Sequence, residues 1–216
     1  MCSCRLIATL ETRDKCCTRS LSLLTEDNVM TDNMNLTDHF LIAMPSLGDP
    51  NFQRTVTYMC QHGDDGALGI VINRPIDLTL NDILGQMEIE VKSQDIGATQ
   101  VYYGGPVQPE RGFVIHDGSG EWDSSLAVTD SIMLTTSRDI MEAIARGKGP
   151  GKMLVALGYA GWGEGQLEQE ILQNAWLNAP ALNQVIFDLP ADKRWKSAAE
   201  QMGVDLDLLS SNAGHA

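Results

Sequence analysis

Cys60 and His62 stand two residues apart in "RTVTYMCQH", and a thiol beside an imidazole is the pairing that can generate a thiolate nucleophile. On a regular strand, positions i and i+2 share a face, so the spacing allows them to meet. A lone strand cysteine is also a common small buried hydrophobe, and the sequence leaves both uses open. A second candidate is "TTSRD", Thr135 to Asp139. There the hydroxyls of Thr136 and Ser137, the first amides of a helix and the guanidinium of Arg138 could together hold a carboxylate or phosphate. The plainer use of the same residues is an N-cap with a solvated arginine. The stretch "YGGPVQPERGF" reads as a turn that brings Gly104, Gly105 and Arg111 into a loop near that site.

The glycine-rich "GYAGWGEGQLEQE", Gly158 to Glu170, has the strand–turn–helix context of a phosphate cradle but not its chemistry. No Gly-Lys-Ser/Thr follows. Glu164, Glu168 and Glu170 occupy the turn and first helical turns, where they would repel a polyphosphate. The spacing Gly161-x-Gly163-x-Gly165 is not a dinucleotide fingerprint either. These glycines are therefore read as places where helix and sheet touch closely. Glu168 and Glu170 are two apart on a helix and point to different faces, which argues against a metal pair. No Ser-His-Asp order, HExxH or CxxC is present, so hydrolase, metalloprotease and thioredoxin chemistry lack support, and no metal or cofactor is expected. Trp162, Trp176 and Trp195 suit a core or an interface.

Elements of two kinds must position these residues. "HFLIAMP", "RTVTYMCQH" and "ALGIVIN" read as strands, the last two joined by the four-residue turn "GDDG". "LTLNDILGQM" reads as a short helix capped by Thr79, with Asp82 at its third position. "QVYYGGP" and "GFVIH" read as strands flanking a turn, "DGSGEWDSS" as a polar loop and "LAVTDSIMLTT" as a strand. A helix follows, capped at Thr136 or Ser137 and stopped by Gly147. "KMLVALGY" reads as a buried strand. "QLEQEILQNAWLN" reads as an amphipathic helix whose stripe of Leu167, Ile171 and Leu172 continues through Ala175 and Trp176. "NQVIFDLP" reads as a strand, "ADKRWKSAAEQMGV" as the last helix and "DLDLLSSNAGHA" as a partly ordered tail. Hairpin strands followed by strand–helix units predict an α/β fold with a mixed sheet covered by helices.

Composition bounds the function. Of 216 residues, 43% are apolar, enough for one domain with a packed core. Fifteen basic and 29 acidic side chains leave a formal net charge of -14, which disfavours direct binding to nucleic acid or an anionic membrane. Four of five cysteines fall in the first 17 residues, so the body has no disulfide framework and a reducing cytoplasm is the expected setting. Adjacent Cys16 and Cys17 are poor zinc spacing. Residues 1–33 lack sustained periodicity and are expected to be a disordered leader or a misassigned start. Residues 34–216 are expected to form a single domain.

From Met34 onward the chain resembles the AlgH/YqgE family of bacterial cytosolic proteins. The resemblance rests on "MNLTDHFLIAMPSLGDPNFQRTVTYMCQH", "GIVINRP", "YGGPV", "RGFVIH", "LTTSRDI", "LVALGYAGWGEGQLEQEI", "NAWL" and "AGHA". It implies a mixed, partly barrel-like sheet and a regulatory role linked to alginate production, with no agreed enzymatic activity or cofactor. The family's motif positions fall here on Gly104, Gly105, Pro106, Arg111, Thr136, Ser137, Arg138, Gly158, Trp162, Gln166, Glu168, Asn174 and Trp176, and its cysteine on Cys60. Three functions follow as expectations. The first is a regulatory protein acting through an unidentified protein or small-molecule partner, with any effect on transcription indirect. The second is a thiol-dependent enzyme or redox sensor using Cys60. The third is an anion- or nucleotide-binding module at Ser137 and Arg138, with Gly104, Gly105, Arg111, Thr136 and Trp162 as the further ligand-binding candidates.

Overall fold

The structure is a computed structural model and describes residues 35–210. The expected leader over residues 1–33, with Cys2, Cys4, Cys16 and Cys17, lies outside those residues, as do positions 211–216 with His215. Ten strands form one curled, mixed sheet of half-barrel shape, as the sequence predicts. They are β1 (His39–Ala43), β2 (Val56–Gly63), β3 (Gly66–Val71), β4 (Pro75–Thr79), β5 (Gln100–Tyr103), β6 (Val107–His116), β7 (Ser125–Ala127), β8 (Met133–Thr135), β9 (Met153–Trp162) and β10 (Trp176–Pro180). Neighbours run β10-β1-β2-β3-β9-β6-β8-β7, and β4 and β5 attach to β9 as a side branch. Every pairing is antiparallel except β5 with β9.

Alternation along the strands sorts the apolar residues onto two faces. Phe40 and Ile42 of β1, Tyr58 and Cys60 of β2, and Phe113 and Ile115 of β6 build the inner core. That core is closed by a π-helical turn, Gln184–Asp188, and by α5 (Ala191–Glu200). On the outer face, α1 (Leu80–Gln86) and α3 (Arg138–Ala145) cover Val114 and Val155. Farther along, α4 (Gln166–Leu172) covers Leu41, Met59 and Trp162. Two short helices, α2 (Gln94–Gly97) and α6 (Leu206–Ser210), complete the described chain. No described helix is long and apolar enough to cross a membrane.

Local chemistry sets several boundaries where the sequence places them. The Asp82 carboxylate accepts both the N–H (2.8 Å) and the hydroxyl (2.7 Å) of Thr79, starting α1 and holding Asp82 below the usual carboxylate range. Gly147 and Gly203 end α3 and α5 with positive φ.

Other expectations need correction. "NQVIFDLP" is the π-helical turn and not a strand, because β10 already occupies the free edge of β1 where a further strand would pair. The helical stripe stops at Leu172, which is 82% exposed, and Asn174 at φ 57° turns the chain so that Trp176 opens β10. Pairing with β1 wins over helical periodicity there. The hairpin at Gly63–Gly66 forms as expected, with Asp64 and Asp65 at the tip of the four-residue turn. "LAVTDSIMLTT" divides into β7 and β8, and β4, α2 and α6 form where the sequence suggests no element.

The glycine-rich stretch is the largest correction. "GYAGW" is not a turn between strand and helix but the second half of β9. On one side of β9, β5 pairs up to Leu157 and β3 takes over from Ala160. On the other side, β6 shifts register between Val107 and Gly112. Gly158 sits at this junction with φ +73°, and a Cβ there would lie 2.4 Å from the carbonyl oxygen of Gly105. Gly104 and Gly105 face the same crossing, where added Cβ atoms would meet the backbones of Gly158 and Tyr159. The glycines let strand pass strand, not helix touch sheet. They also switch faces: Leu154 and Ala156 point to the inner core, whereas Ala160 and Trp162 point outward under α4. A one-residue irregularity inverts the two-residue period.

Candidate functional site

The motif around α4 turns out to be internally satisfied. Glu170 is its hub, with Oε2 accepting the indole N–H of Trp162 (2.9 Å) and of Trp176 (2.8 Å) and Oε1 accepting from the Gln166 amide (3.0 Å). Gln166 in turn accepts the N–H of Gly163 (3.1 Å). Phe52 stacks on Trp162 and meets Trp176 edge-on, and the two indoles cross at 6.0 Å. His62 extends the set: its Nδ1 accepts the N–H of Leu36 (3.0 Å), so Nε2 carries the proton and donates to Glu168 (2.8 Å). Glu168 and Glu170 each answer specific donors, so the carboxylates that begin the helix serve the fold.

Cys60 and His62 do not share a face. The β2 register shifts between Met59 and Gln61, so Cys60 enters the inner core at 2% exposure while His62 turns toward α4. Met59 and Cys60 are both buried, on opposite faces. Burial pushes the Cys60 thiol well above its ordinary range, which keeps it protonated and weakly nucleophilic. Among the described residues, no group of three or more His, Cys, Asp or Glu side chains could hold a metal ion.

Thr135 to Arg138 of "TTSRD" do border a cavity, of about 380 Å3, between the outer face of the sheet and the helices α1 and α3. Leu78 of β4, Ile83 and Met87 at α1, Met141 of α3, Val114 of β6, and Val155 and Leu157 of β9 make its walls apolar. Gln86, Glu110, Thr135, Thr136, Ser137 and Arg138 supply the polar lining. Size and character match a small-molecule chamber. Gly112 of β6 also lines it, and a Cβ built there meets nothing within 4 Å.

The anion-holding groups expected here are already engaged. Asp139 accepts the N–H groups of Asp123 (2.9 Å) and Ile140 (2.9 Å), and the Ser137 hydroxyl lies between the Asp123 carbonyl and the Asp139 carboxylate. Burial alone would raise the Asp139 carboxyl, but these hydrogen bonds together hold it below the usual range. Arg138 donates to Glu142 (3.1 Å) and to the Met87 carbonyl (2.8 Å), and Glu142 also holds Arg146 (3.0 Å). Arg111 reaches Gln108 (3.3 Å) and the Thr136 hydroxyl (3.2 Å) while resting over Phe113. The dipole end of α3 thus carries its own carboxylate. Thr136, Ser137 and Arg138 lie together at the chamber and Arg111 bonds to Thr136 without lining the chamber, whereas Gly104 and Gly105 lie at the strand crossing and Trp162 under α4. Cys60 is in the inner core.

Behind Thr135 runs a hydrogen-bond chain absent from the sequence reading. The Ser125 hydroxyl donates to the Trp122 carbonyl (2.9 Å), Thr135 must then donate to Ser125 (2.6 Å), and His116 Nε2–H donates to Thr135 (2.9 Å). This assignment leaves His116 Nδ1 a bare buried acceptor without a protein partner. Burial of the ring, 1% exposed and edge-on to Trp122, lowers the His116 pKa, against a smaller opposing pull from Asp117. Sequence reasoning singles out neither Gly112 nor Glu110 at the chamber, and it weighs Glu170 only as a repelling charge and a metal ligand, not as the acceptor for two indoles. A solitary glycine inside "RGFVIH" was the one local signal for the first.

Comparison with known proteins places these features in a family. An AlgH-like family profile matches residues 40–207. A UPF0301 protein of Methylococcus capsulatus is 59% identical over 180 residues, spanning 83% of this chain and 96% of the relative. One from Thioalkalivibrio sulfidiphilus is 57% identical over 189 residues, 87% of this chain and all of the relative. The solution structure of the AlgH protein from Pseudomonas aeruginosa superposes with a TM-score of 0.71 at 47% identity, covering 85% of this chain and 97% of that one. A crystal structure from Corynebacterium diphtheriae shares the fold at 21% identity and a TM-score of 0.63.

Proposed function

The chain belongs to the AlgH-like family, and from that premise we propose that it is a cytoplasmic regulatory protein that acts by reversibly binding a small molecule in the chamber beneath α1 and α3. Its effect on transcription, alginate genes included, runs through other proteins, since a net charge of -14 repels DNA.

Gly112 is the observation that carries this reading. Glycine inside a strand costs roughly 0.5–1 kcal/mol relative to alanine. At Gly158 the backbone crossing explains that cost. At Gly112 the φ is ordinary for any residue and nothing would obstruct a side chain. What a side chain would do there is occupy the chamber.

The test uses Gly112→Leu, which fills the chamber from its open wall. A screen of small amphiphiles by thermal melting, followed by NMR of the Met87 and Met141 methyl groups, should find compounds that stabilise the wild type. The same compounds should leave Gly112→Leu unmoved, while that variant melts at or above the wild-type temperature. The proposal fails if no compound shifts those methyl signals in the wild type, or if the filled variant binds equally well.

A further inference from the structure

Resting on that chamber reading, we infer that residues 108–111 of β6 are the gate of the chamber, hinged at Gly112 and latched by Arg111 on Thr136.

A ligand has to pass between walls, and most of these walls are tied down. Leu78 lies on β4, which pairs with β5, and Val155 and Leu157 lie on β9, which is paired on both sides. Ile83 and Met141 belong to helices whose buried faces pack on the sheet. The start of β6 is different. Val107 pairs with Tyr159 and Gly112 with Leu157, so residues 108–111 stand opposite the single Gly158. Among the described residues they have no partner in either neighbouring strand. All four are exposed, and Glu110 among them lines the chamber. A bulge beside a cavity is the wall that the ladder does not hold.

The two ends of the bulge differ in freedom. At the first, Val107 keeps its pairing, and a Cβ added to Gly158 would lie 3.2 Å from the α-carbon of Pro109. Proline also fixes its own φ, so this end is a stem. At the second, Gly112 has no side chain and a Cβ built on it meets nothing within 4 Å, so the backbone can rotate there without collision. Between stem and hinge, the Arg111 guanidinium donates to the Thr136 hydroxyl at the start of α3 (3.2 Å). Its other hydrogen bond, to Gln108 (3.3 Å), stays within the bulge. One exposed hydrogen bond favours the closed position and still breaks readily. Hinge positions that absorb a backbone rotation beside a site are how lids are built.

Val155 faces the chamber from the sheet and Met141 from α3, so a thiol placed at either position reports opening. The full chain carrying Val155→Cys is alkylated with iodoacetamide and followed by peptide mass spectrometry. Cys60, buried in the inner core of the same molecule, serves as the clock for global unfolding. Met141→Cys repeats the measurement if Val155→Cys folds poorly. The chamber thiol should react faster than Cys60. Adding Arg111→Ala should speed it about threefold to tenfold, and adding Gly112→Ala should slow it about twofold to fivefold, with Cys60 unmoved. Arg138→Ala cuts the tie from α3 to the Met87 carbonyl at the end of α1, and should leave the rate as it was. A chamber thiol indifferent to Arg111→Ala or to Gly112→Ala, or one released by Arg138→Ala instead, overturns the gate while the chamber reading stands. A thiol no faster than Cys60 in every variant means that the folded protein never opens there, and the chamber reading falls too.

Discussion

The two places where helices cover the outer face of the sheet differ in what they leave open. Under α4, Glu170 gathers two indoles and an amide, Glu168 holds His62, and aromatic rings fill the space between. Under α1 and α3, Thr135, Ser137 and Arg138 are paired as well, but the apolar walls stand apart around a cavity of about 380 Å3. The contrast is sharpest between two glycines. Gly158 is required because its φ is positive and the backbone of Gly105, Val107 and Pro109 crowds it, and Gly112 is required by nothing in the packing. A dense cluster of unusual residues marks a folding constraint here, and a quieter strand borders the open cavity.

That comparison can be broken from the packed side first. Gly158→Ala should have the largest effect, since it combines positive φ with a backbone collision; a loss of about 3 kcal/mol or more is expected, read as a large drop in the urea midpoint or failure to fold. An alanine variant as stable as the wild type would show that the crossing is loose. Glu170→Ala comes next. Two largely buried indole N–H groups would lose their acceptor, and a cost of about 2–3 kcal/mol is expected in chemical denaturation, with Trp fluorescence shifted to longer wavelength. Against these, Gly112→Leu at the chamber should cost nothing, which is the comparison in its most direct form.

His116 provides the smallest effect and tests the rear of the chamber. Its folded pKa lies below the ordinary histidine value of 6.5, so the unfolded chain binds the proton first as pH falls. Stability is therefore unaffected by this group above about pH 6.5 and declines as pH drops from there toward the folded pKa. Melting temperatures of wild type and His116→Gln, compared between pH 7.5 and 5.5, should show a shallower acid decline in the variant. Parallel curves would mean that the imidazole takes up its proton in the fold without penalty. The lowered carboxyls of Asp82, Asp117 and Asp139 act in a separate window, with stability lost only as pH falls below about 4.

Local rules made much of this molecule legible. The Thr79–Asp82 start of α1, the Ser137 cap and Gly147 stop of α3, and the alternating strands β1 and β2 follow from residues within a few positions of one another. Tertiary structure alone decided the rest. Two one-residue irregularities, after Met59 and at Gly158, inverted which side chains share a face and separated Cys60 from His62. Trp176 left its helical stripe because β1 offered an unpaired edge. The chamber joins residues from β4, α1, β6, β8, α3 and β9, and its most informative member contributes no side chain. A sequence specifies the atoms that are present and their near neighbours; empty space exists only between elements that the fold brings together, and so it is written nowhere along the chain.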